Sequence, residues 1–437
     1  MRAPTLPKFP YPDLSAGPLL QAIGAAREVY VSGCAAEITA LPQMLGESLP
    51  GATVTGILSP LVNEQSYASA AAGRRCRSFF LNAGLKRDLA RGLVDLCPWH
   101  YGQMIDWVST GVIFDAAVIM VSPPDDSGCV TLGTQADFLP IFRHRVRRLI
   151  AVINPQMPGT RGHQPIPLTA FAAVFVHDRP LLSPRPAAGD ADETTQTIAQ
   201  NVAALIPDRA TLQLGIGKIA QAVSRGLEGH RGLRIVSGLI DDDVLRLDDA
   251  GALDRAIPIT TGVAIGSQAL YARLDGNPRF AFSPATATHA AAALAGIDRF
   301  HAVNTTLQLD LFGQVNSEMV NGRLISVPGG FPDFQRAARA GISGRAIVAL
   351  RAGAAGKAGP GIVASLSSPA VVTATKTEVD LVVTEFGLAD LRNASLDQRA
   401  ERLIAIAAPG DRDALMNDWD RIRRRAFGIS EPVLSGR

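Results

Sequence analysis

Residues 313–334 read GQVNSEMVNGRLISVPGGFPDF. This stretch opens with a polar, turn-prone run and ends in the pair Gly329-Gly330, which follows a strand-like run at 324–327. Because glycine has no Cβ, such a pair lets backbone N–H groups approach a ligand closely. N–H groups that converge on one point can bind an anion or stabilise a developing oxyanion. A plain turn between a strand and a helix is the alternative, so the pattern alone leaves both open.

On either side of this stretch, strand-like apolar runs alternate with helix-length segments, which predicts an α/β fold. Several runs in the first half are almost continuous in Val, Ile and Ala, which is typical of strands buried on both faces of a parallel sheet. The first half predicts strands at 28–32, 53–58, 116–122, 148–154 and 172–177, and helices at 38–48 and 101–110. The second half predicts a helix at 195–205 and strands at 211–213, 233–236, 258–263, 300–303, 346–350, 371–375 and 381–383.

The length of the chain predicts two domains. At 437 residues it exceeds the size at which a single hydrophobic core keeps growing. Residues 179–194 are rich in proline and in small or acidic residues with little to bury, which is typical of a linker. We therefore predict an N-terminal α/β domain over 1–185 and a second α/β domain over 195–437.

The composition argues against several classes of protein. A net charge of +2 gives no reason to expect a nucleic-acid or membrane partner, and no apolar window is long enough to span a bilayer. The N-terminal residues do not resemble a secretory signal. The four cysteines are widely spaced, which predicts neither a zinc site nor disulfides and favours a reducing, cytoplasmic compartment. The seven histidines lack metal-ligand spacing, so we expect no metal.

A second glycine pattern lies at 212–219, LQLGIGKI. Gly215 and Gly217 connect a predicted strand to a predicted helix, whose positive N-terminal end is a place where a pyrophosphate can bind. The pattern lacks the third glycine and the acidic partner of a nicotinamide-binding fingerprint. A tight strand-to-helix connection without a ligand is the alternative.

Together these segments resemble the acetyl-CoA hydrolase/transferase family, which includes the 4-hydroxybutyrate- and butyrate-type CoA-transferases. Residues 313–334 resemble its GQV-(N/C)-SE…SG-x-GG-x-x-DF signature, and residues 212–223 its LQ-x-GIG-x-I-P pattern, with Ala220 where proline is usual. Further matches are VSPP at 121–124 with Leu132-Gly133, NPQMPGTRG at 154–162 and VDLVVTEFGLADL at 379–391. The resemblance extends over residues 28–415, nearly the whole chain.

The resemblance implies two related open α/β domains with a ligand cleft between them, a homodimer, and acyl-CoA as substrate with a carboxylate or other acyl acceptor. It also implies a set of residues that contact coenzyme A. These are Gly215, Ile216, Gly217, Lys218 and Ile219 in the first glycine turn, Gly329 and Gly330 in the oxyanion loop, and Lys376. For Lys376, an exposed charge at a strand edge is the alternative.

In this family a glutamate in a (G-I)-H-(S/T)-E-(M/L) strand end attacks the thioester and becomes a glutamyl-CoA intermediate. The matching run is RIVSGLIDDD at 234–243, which places Gly238 at the glutamate and Val236 at the histidine. Val327 likewise stands at the first glycine of the oxyanion loop. Since glycine offers no nucleophile, the resemblance implies that this intermediate does not form at position 238.

Three other residues, Asp241, Glu318 and His100, are candidates for a catalytic role. Asp241 lies three residues downstream, about 10 Å along an extended chain and on the opposite strand face. Glu318 matches a glutamate that accompanies the family's nucleophile, so it is either an orienting group or a relocated nucleophile. His100 resembles part of a cleft-facing segment, with a structural histidine as the alternative.

The basic run FRHRVRR at 142–148 predicts a solvated helix face or a contact with CoA phosphates.

We therefore expect an enzyme that binds acyl-CoA and acts at the thioester or acyl group, by acyl transfer, hydrolysis or decarboxylation rather than ordinary CoA transfer. One alternative is a non-catalytic homologue that binds CoA or a partner. The other is a CoA-transferase in which Glu318 is the relocated nucleophile. No GxSxG motif occurs, which argues against an α/β-hydrolase.

Overall fold

The computed structural model describes residues 9–185, 191–353 and 359–428, so part of the predicted linker, 186–190, lies outside the described residues. Contacts divide the chain into two compact units. The first comprises Met1–Ala187, Ser237–Asp242 and Ile257–Thr288, and the second comprises Ala188–Val236, Asp243–Ala256 and His289–Arg437. The chain therefore returns twice to the first unit, which the predicted limits of 1–185 and 195–437 did not anticipate.

Up to residue 185 the elements are short, and most apolar runs are strands. The strands are β1 (Glu28–Val31), β2 (Thr53–Gly56), β3 (Arg75–Ser78), β4 (Val94–Leu96), β5 (Ala116–Val121), β6 (Cys129–Val130), β7 (Leu149–Ile153), β8 (Ile166–Pro167) and β9 (Ala173–Val176). The helices are α1 (Ala16–Ile23), α2 (Leu41–Leu45), α3 (Ala83–Leu89), α4 (Tyr101–Asp106) and α5 (Leu139–Phe142).

Beyond residue 190 the alternation of strands and helices continues. The strands are β10 (Thr211–Leu214), β11 (Arg234–Ile240), β12 (Ile259–Ala264), β13 (Phe280–Phe282), β14 (Phe300–Thr305), β15 (Gln308–Asp310), β16 (Val315–Asn316), β17 (Met319–Val320), β18 (Arg323–Leu324), β19 (Arg345–Ala349), β20 (Ile362–Val363), β21 (Leu381–Thr384) and β22 (Gly387–Asp390). The helices are α6 (Glu193–Ala203), α7 (Lys218–Gly226), α8 (Asp243–Asp249), α9 (Gln268–Leu274), α10 (Ala285–Thr288), α11 (Ala291–Ala295), α12 (Phe331–Ala340), α13 (Leu396–Ala405) and α14 (Arg412–Phe427).

The first unit is built on a parallel sheet with strand order β4-β3-β2-β1-β5-β7-β9. Every residue of β5 and β7 is buried, as expected for strands covered on both faces. The parallel pair β12 and β13 and the antiparallel pair β6 and β8 also belong to this unit. The five strands predicted in the first half are confirmed as β1, β2, β5, β7 and β9, each slightly shorter than predicted.

In the second unit, six strands lie in the order β11-β10-β14-β19-β21-β22, although only residues 234–236 of β11 belong to it and Ser237–Asp242 belong to the first unit. All pairings are parallel except the last, where β22 runs antiparallel to β21. One face of this sheet contributes Val348 and Val382 to a core with Leu403 of α13 and the fully buried Trp419 of α14. The structure therefore confirms the predicted α/β class in both units.

Three local predictions are wrong. Residues 371–375 are not a strand, since only Ala374 forms an isolated bridge, with Val315, and Val371 and Val372 are exposed. The strand-like run 324–327 ends at Leu324. The basic run 142–148 is not a helix face, because a single 3₁₀ turn covers Arg143–Arg145 and two of its arginines donate to backbone carbonyls. At 371–375 and 142–148, contacts with residues distant in the sequence take the place of a regular ladder or helix.

Gly33, just after β1, provides a test of the packing in the first unit. A Cβ at this position would lie 2.0 Å from the carbonyl oxygen of Ile57, which is backbone and cannot rotate away. We predict that Gly33→Ala lowers the free energy of unfolding by about 1–3 kcal/mol through overpacking. The measurement is the midpoint of urea denaturation followed by tryptophan fluorescence.

Gly17→Ala in α1 is the matched control, because nothing lies within 4 Å of its added Cβ. In a helix this change is expected to be neutral or to stabilise by up to about 1 kcal/mol. Equal losses of stability in the two variants would contradict the close approach at Gly33.

Candidate active site

The glycine turn at 215–217 joins β10 directly to α7 in the second unit. Gly217 has φ of +104°, a conformation that side chains rarely adopt, and it immediately precedes the first helical residue, Lys218. Gly215 lies against β14, since a Cβ there would be 3.3 Å from Asn304 Oδ1. The predicted strand–turn–helix is therefore confirmed as local structure, and its contact with coenzyme A stays a prediction.

A pocket of about 250 Å³ lies beside this turn, within the second unit. It is lined by Thr195, Lys218, Ile219, Thr305, Thr306, Leu307, Arg351, Gly353 and Gly359. Two cations, hydroxyl groups and a helix N-terminus are the groups that bind phosphate oxygens. The structure thus brings the predicted residues Lys218 and Ile219 together with Arg351, which nothing in the sequence pattern indicated.

Arg351 is held in place by the first turn of α6. It donates to both carboxylate oxygens of Asp192 and to Thr195 Oγ1 at 2.7 Å. These hydrogen bonds from Arg351 hold the pKa of Asp192 below its usual range. The arginine lies 156 residues from Thr195 along the chain, so the contact depends entirely on the fold.

Glu318 is buried and is connected to the wall of this pocket. Its Oε1 accepts a hydrogen bond from Thr373 Oγ1 at 2.7 Å, and that hydroxyl accepts one from the Ser317 amide at 2.9 Å. Ser317 Oγ in turn lies 3.0 Å from Thr306 Oγ1. Burial raises the pKa of Glu318. Because one carboxylate oxygen is already engaged, this arrangement favours the orienting role over the nucleophilic one.

The glycine pair at 329–330 precedes α12 and packs on an aromatic pair. Gly329 has φ of +57°, and a Cβ at Gly330 would lie 2.7 Å from both His289 Cδ2 and Phe334 Cε2. The His289 and Phe334 rings are 4.8 Å apart. Burial lowers the pKa of His289 to about 3, so the imidazole is neutral at pH 7. A lone histidine between Thr288 and Ala290 gives no sequence signal for this contact.

Lys376 lies apart from the pocket residues. Its side chain is exposed, and its backbone carbonyl accepts a hydrogen bond from Arg399 Nη1 at 2.9 Å. Lys376 lies beside the start of 313–334, because a Cβ at Gly313 would lie 3.9 Å from the Lys376 Cα. The structure therefore does not place Lys376 among the residues that line the pocket.

The other predicted residues, Gly238 and His100, belong to the first unit. Gly238 is buried within β11. A Cβ on Gly262, in β12, would lie 3.3 Å from the Gly238 carbonyl oxygen and 3.3 Å from the Asp137 Cβ. His100 immediately precedes α4, whose Tyr101 ring stacks on Phe138 at 5.2 Å.

Asp137 is therefore the centre of a second group of residues that the sequence pattern did not reveal. Its side chain is 1% exposed. Burial raises the pKa of Asp137 to about 7, although hydrogen bonds from the amide of Phe138 and the side chain of Gln135 oppose the shift. A carboxyl group with a pKa near neutrality is common at functional sites.

Neither a metal site nor a membrane-spanning helix is found in the part of the chain that the structure describes. Across residues 9–185, 191–353 and 359–428, no three His, Cys, Asp or Glu side chains are placed to hold a metal ion. Within the same ranges, no helix has both the length and the apolar character needed to cross a bilayer.

The buried His289 predicts a sensitivity to acid. Because burial lowers its pKa to about 3, the unfolded chain takes up a proton near pH 6.5 that the folded chain does not bind. The stability gained from the neutral ring is thus present above about pH 6.5 and is lost as the pH falls toward 3. We expect His289→Gln to flatten the pH dependence of the urea midpoint between pH 7 and 4.5. The exposed His144→Gln is the control, and an equal flattening there would contradict this account.

Most of the chain is similar to proteins of one family. The model of the acetyl-CoA hydrolase/transferase N-terminal domain matches residues 14–182, and that of the C-terminal domain matches residues 266–419. A 4-hydroxybutyrate coenzyme A transferase of Clostridium kluyveri is 34% identical over 314 residues, which cover 70% of this chain and 72% of the relative.

Two solved structures have the same fold. That of a 4-hydroxybutyrate CoA-transferase from Porphyromonas gingivalis is 28% identical and superposes with a TM-score of 0.77 over 95% of this chain and 98% of its own. That of RipA from Yersinia pestis is 25% identical, with a TM-score of 0.84 over 94% and 97%. Both domain models and the Clostridium relative agree, and the chain therefore belongs to the acetyl-CoA hydrolase/transferase family.

Proposed function

We propose that this protein is an enzyme that binds acyl-CoA and acts at its thioester or acyl group without a glutamyl-CoA intermediate at position 238. The observation that carries the proposal is that β11 continues through Gly238 as a buried strand residue without a side chain. The resemblance places the family's nucleophilic glutamate at this residue. Acyl transfer, hydrolysis or decarboxylation can proceed without it, whereas ordinary CoA transfer through it cannot.

The second unit supplies the binding half of the proposal. The pyrophosphate of coenzyme A would bind at residues 215–219, with Lys218 and Arg351 as its cations. Both residues line the same pocket, and the hydrogen bonds between Arg351 and Asp192 hold the guanidinium at its wall. The thioester would lie near Gly329 and Gly330, whose N–H groups stabilise the oxyanion that forms when the carbonyl carbon is attacked.

Hydrolysis is the reaction that these residues support best. An oxyanion loop lowers the barrier for attack by any nucleophile, and removing one such donor typically costs about 10²–10³ in rate. With no carboxylate at Gly238, water is the simplest nucleophile. A carboxylate or other acyl acceptor, a homodimer and a cytoplasmic location, all expected from the sequence, belong to the same proposal.

A CoA-transferase that uses Glu318 is the second candidate, favoured by the link from Glu318 through Ser317 to the pocket wall. Its carboxylate would have to exchange the Thr373 hydrogen bond for a covalent bond. A binding protein without catalysis would retain the pocket but release no coenzyme A from acetyl-CoA, as a free-thiol assay would show.

The affinity for coenzyme A tests the binding half. We expect Lys218→Met to weaken the calorimetric Kd by about 10- to 100-fold, since a hydrogen bond to a charged group contributes about 1.5–3 kcal/mol. Arg225→Met is the matched control, because Arg225 is an exposed cation in the last turn of the same helix. The same loss in both variants would indicate general electrostatic attraction and would remove the support for this pocket.

Intact-mass analysis after incubation with acetyl-CoA tests the chemical half. We expect no mass increase corresponding to coenzyme A. A CoA adduct mapped by peptide analysis to Glu318 would replace the proposal by a transferase with a relocated nucleophile. Glu318→Gln serves as the control, since it abolishes such an adduct if that residue carries it.

Restoring the family's residues tests whether the strand has been remodelled. Gly238→Glu alone is expected to transfer CoA poorly, because refilling a packed site costs about 1–3 kcal/mol and Val236 and Val327 remain. The triple variant with Val236→His and Val327→Gly is expected to exceed it by at least about tenfold, equivalent to about 1.4 kcal/mol of barrier. Equal CoA transfer by the two variants would show that the pocket around Gly238 has not diverged.

A further inference from the structure

A second pocket, which we call the basic pocket, is lined only by residues of the first unit. Its volume is about 580 Å³, within the range of pockets that bind small molecules. The lining residues come from two segments, 143–149 and 166–172. They include Arg143, His144 and Arg147 and no acidic residue. The charge of this lining therefore favours an anionic ligand.

The four arginines of the run at 142–148 divide into two pairs with different tasks. Arg145 and Arg148 donate to backbone carbonyl oxygens at 2.9 Å and so hold the segment in place. Arg143 and Arg147 instead line the basic pocket. The backbone contacts of the first pair thus fix the position of the two arginines that line the pocket.

Arg143 is a half-buried cation that has no counter-ion among the described residues. Across residues 9–185, 191–353 and 359–428, its side chain has neither a hydrogen-bond partner nor an ion-pair partner. Burial, followed by the charge of Arg143, lowers the pKa of His163 to about 4, so this neighbour is neutral at pH 7. The N–H donors of the Arg143 guanidinium therefore remain available for a bound anion or for water.

Arg147 supplies a second, more exposed cation. Its side chain is 71% exposed, and its Nη1 lies 3.5 Å from Asp115 Oδ1. The other oxygen of Asp115 accepts hydrogen bonds from the backbone amides of Arg27 and Glu28. Because a guanidinium has five N–H donors, Arg147 can keep its contact with Asp115 and still bind an anion.

The second lining segment supplies an apolar surface and a hydroxyl group. Ile166 and Phe171 are 2% and 9% exposed, and Thr169 is exposed. The Ala172 amide donates to the Leu149 carbonyl oxygen, which belongs to the other lining segment, at 2.8 Å. The two segments are therefore fixed against each other by a backbone hydrogen bond, and an apolar surface lies in the same pocket as the two cations.

We propose that the basic pocket is a binding site for a phosphate monoester that carries an apolar group. Arg143 and Arg147 bind the phosphate, which has a charge of about −1.5 to −2 at pH 7, and the apolar group packs against Ile166 and Phe171. Arginine suits this task because its planar fork donates two parallel hydrogen bonds to phosphate oxygens. The site goes beyond the proposed function, since it shares no lining residue with the pocket beside Lys218.

Calorimetric titration with phenyl phosphate tests the site. We expect saturable binding to the wild type with a Kd of about 1 mM or below. Inorganic phosphate and phenol each lack one half of the probe, so each should bind at least about tenfold more weakly. Absence of saturable binding, or equal affinities for phenyl phosphate and inorganic phosphate, would overturn the inference.

Two variants test the position of the phosphate. Arg143→Met should weaken the binding of phenyl phosphate at least about tenfold, because hydrogen bonds to charged groups are the strong ones. Ala170→Glu adds a carboxylate at an exposed lining residue and keeps both arginines, and it should weaken binding at least about fivefold. The urea midpoint of each variant establishes that it is folded. Wild-type affinity in both folded variants would contradict the site.

Arg87→Met is the matched control for the loss of one positive charge. Arg87 is an exposed residue of α3, which contacts β4, at the opposite edge of the first sheet from β7 and β9. We expect this variant to bind phenyl phosphate within about twofold of the wild type. An equal loss of affinity in Arg87→Met and Arg143→Met would indicate general electrostatic attraction and would overturn the inference.

Lys218→Met separates this inference from the proposed function. Phenyl phosphate is expected to bind Lys218→Met as it binds the wild type, because Lys218 belongs to the other pocket. Loss of phenyl phosphate binding in this variant would place the probe in that pocket and overturn the inference. If coenzyme A fails to bind the wild type, the proposed function fails, and the titrations with phenyl phosphate still decide the basic pocket.

Discussion

The close backbone approach at Gly262 is the constraint on which the chemistry of the first unit depends. The Asp137 Cβ, Thr288 Oγ1 and the Gly238 carbonyl oxygen lie 3.3–3.4 Å from the point where a Cβ on Gly262 would stand. A Cβ there would be in tight contact, so the Gly238 carbonyl and the Asp137 Cβ would have to shift by a few tenths of an ångström. The hydrogen bonds between residues 134–136 and β12 fix the approach.

Gly238 contributes no side chain to this neighbourhood, and this affects the charge of Asp137. Two carboxylates in one buried place cannot both ionise, because each raises the pKa of the other. With a glycine at 238, the burial of Asp137 is opposed only by amide donors, and its pKa lies near 7. A carboxyl that changes charge near neutral pH suits proton transfer better than nucleophilic attack, which is best served by a permanently ionised group. Because its pKa lies near 7, the buried Asp137 carboxyl changes its charge near neutral pH.

Much of the fold could be predicted, because buried parallel strands have nearly continuous apolar sequences. β5 and β7 are buried at every residue and were found almost to the residue. β3 and β4 are not predicted, because charged residues interrupt their apolar pattern: Arg75 of β3 pairs with Asp95 of β4. The opposite difference occurs at 371–375, where Val371 and Val372 are exposed and the backbone pairs only with Val315 of β16, so no strand forms. Local propensity cannot distinguish these cases, since the partner that satisfies the backbone is distant in sequence.

The residues of the candidate sites also fall into two groups: those that a local sequence pattern predicts and those that depend on distant contacts. The turn at 215–217 was predictable because a strand, two glycines and a helix are consecutive, and Gly217 requires its glycine for φ alone. Arg351, His289 and Asp137 could not be found, since each depends on a contact with a residue far along the chain: Asp192, Gly330 and Gly262. Nothing in the local sequence distinguishes these side chains. Their surroundings do: Asp192 fixes the Arg351 guanidinium, and burial keeps the His289 imidazole neutral. Asp137 Oδ2 is buried without a hydrogen-bond partner among the described residues. Because such contacts join residues that are far apart in the sequence, a local motif does not reveal them.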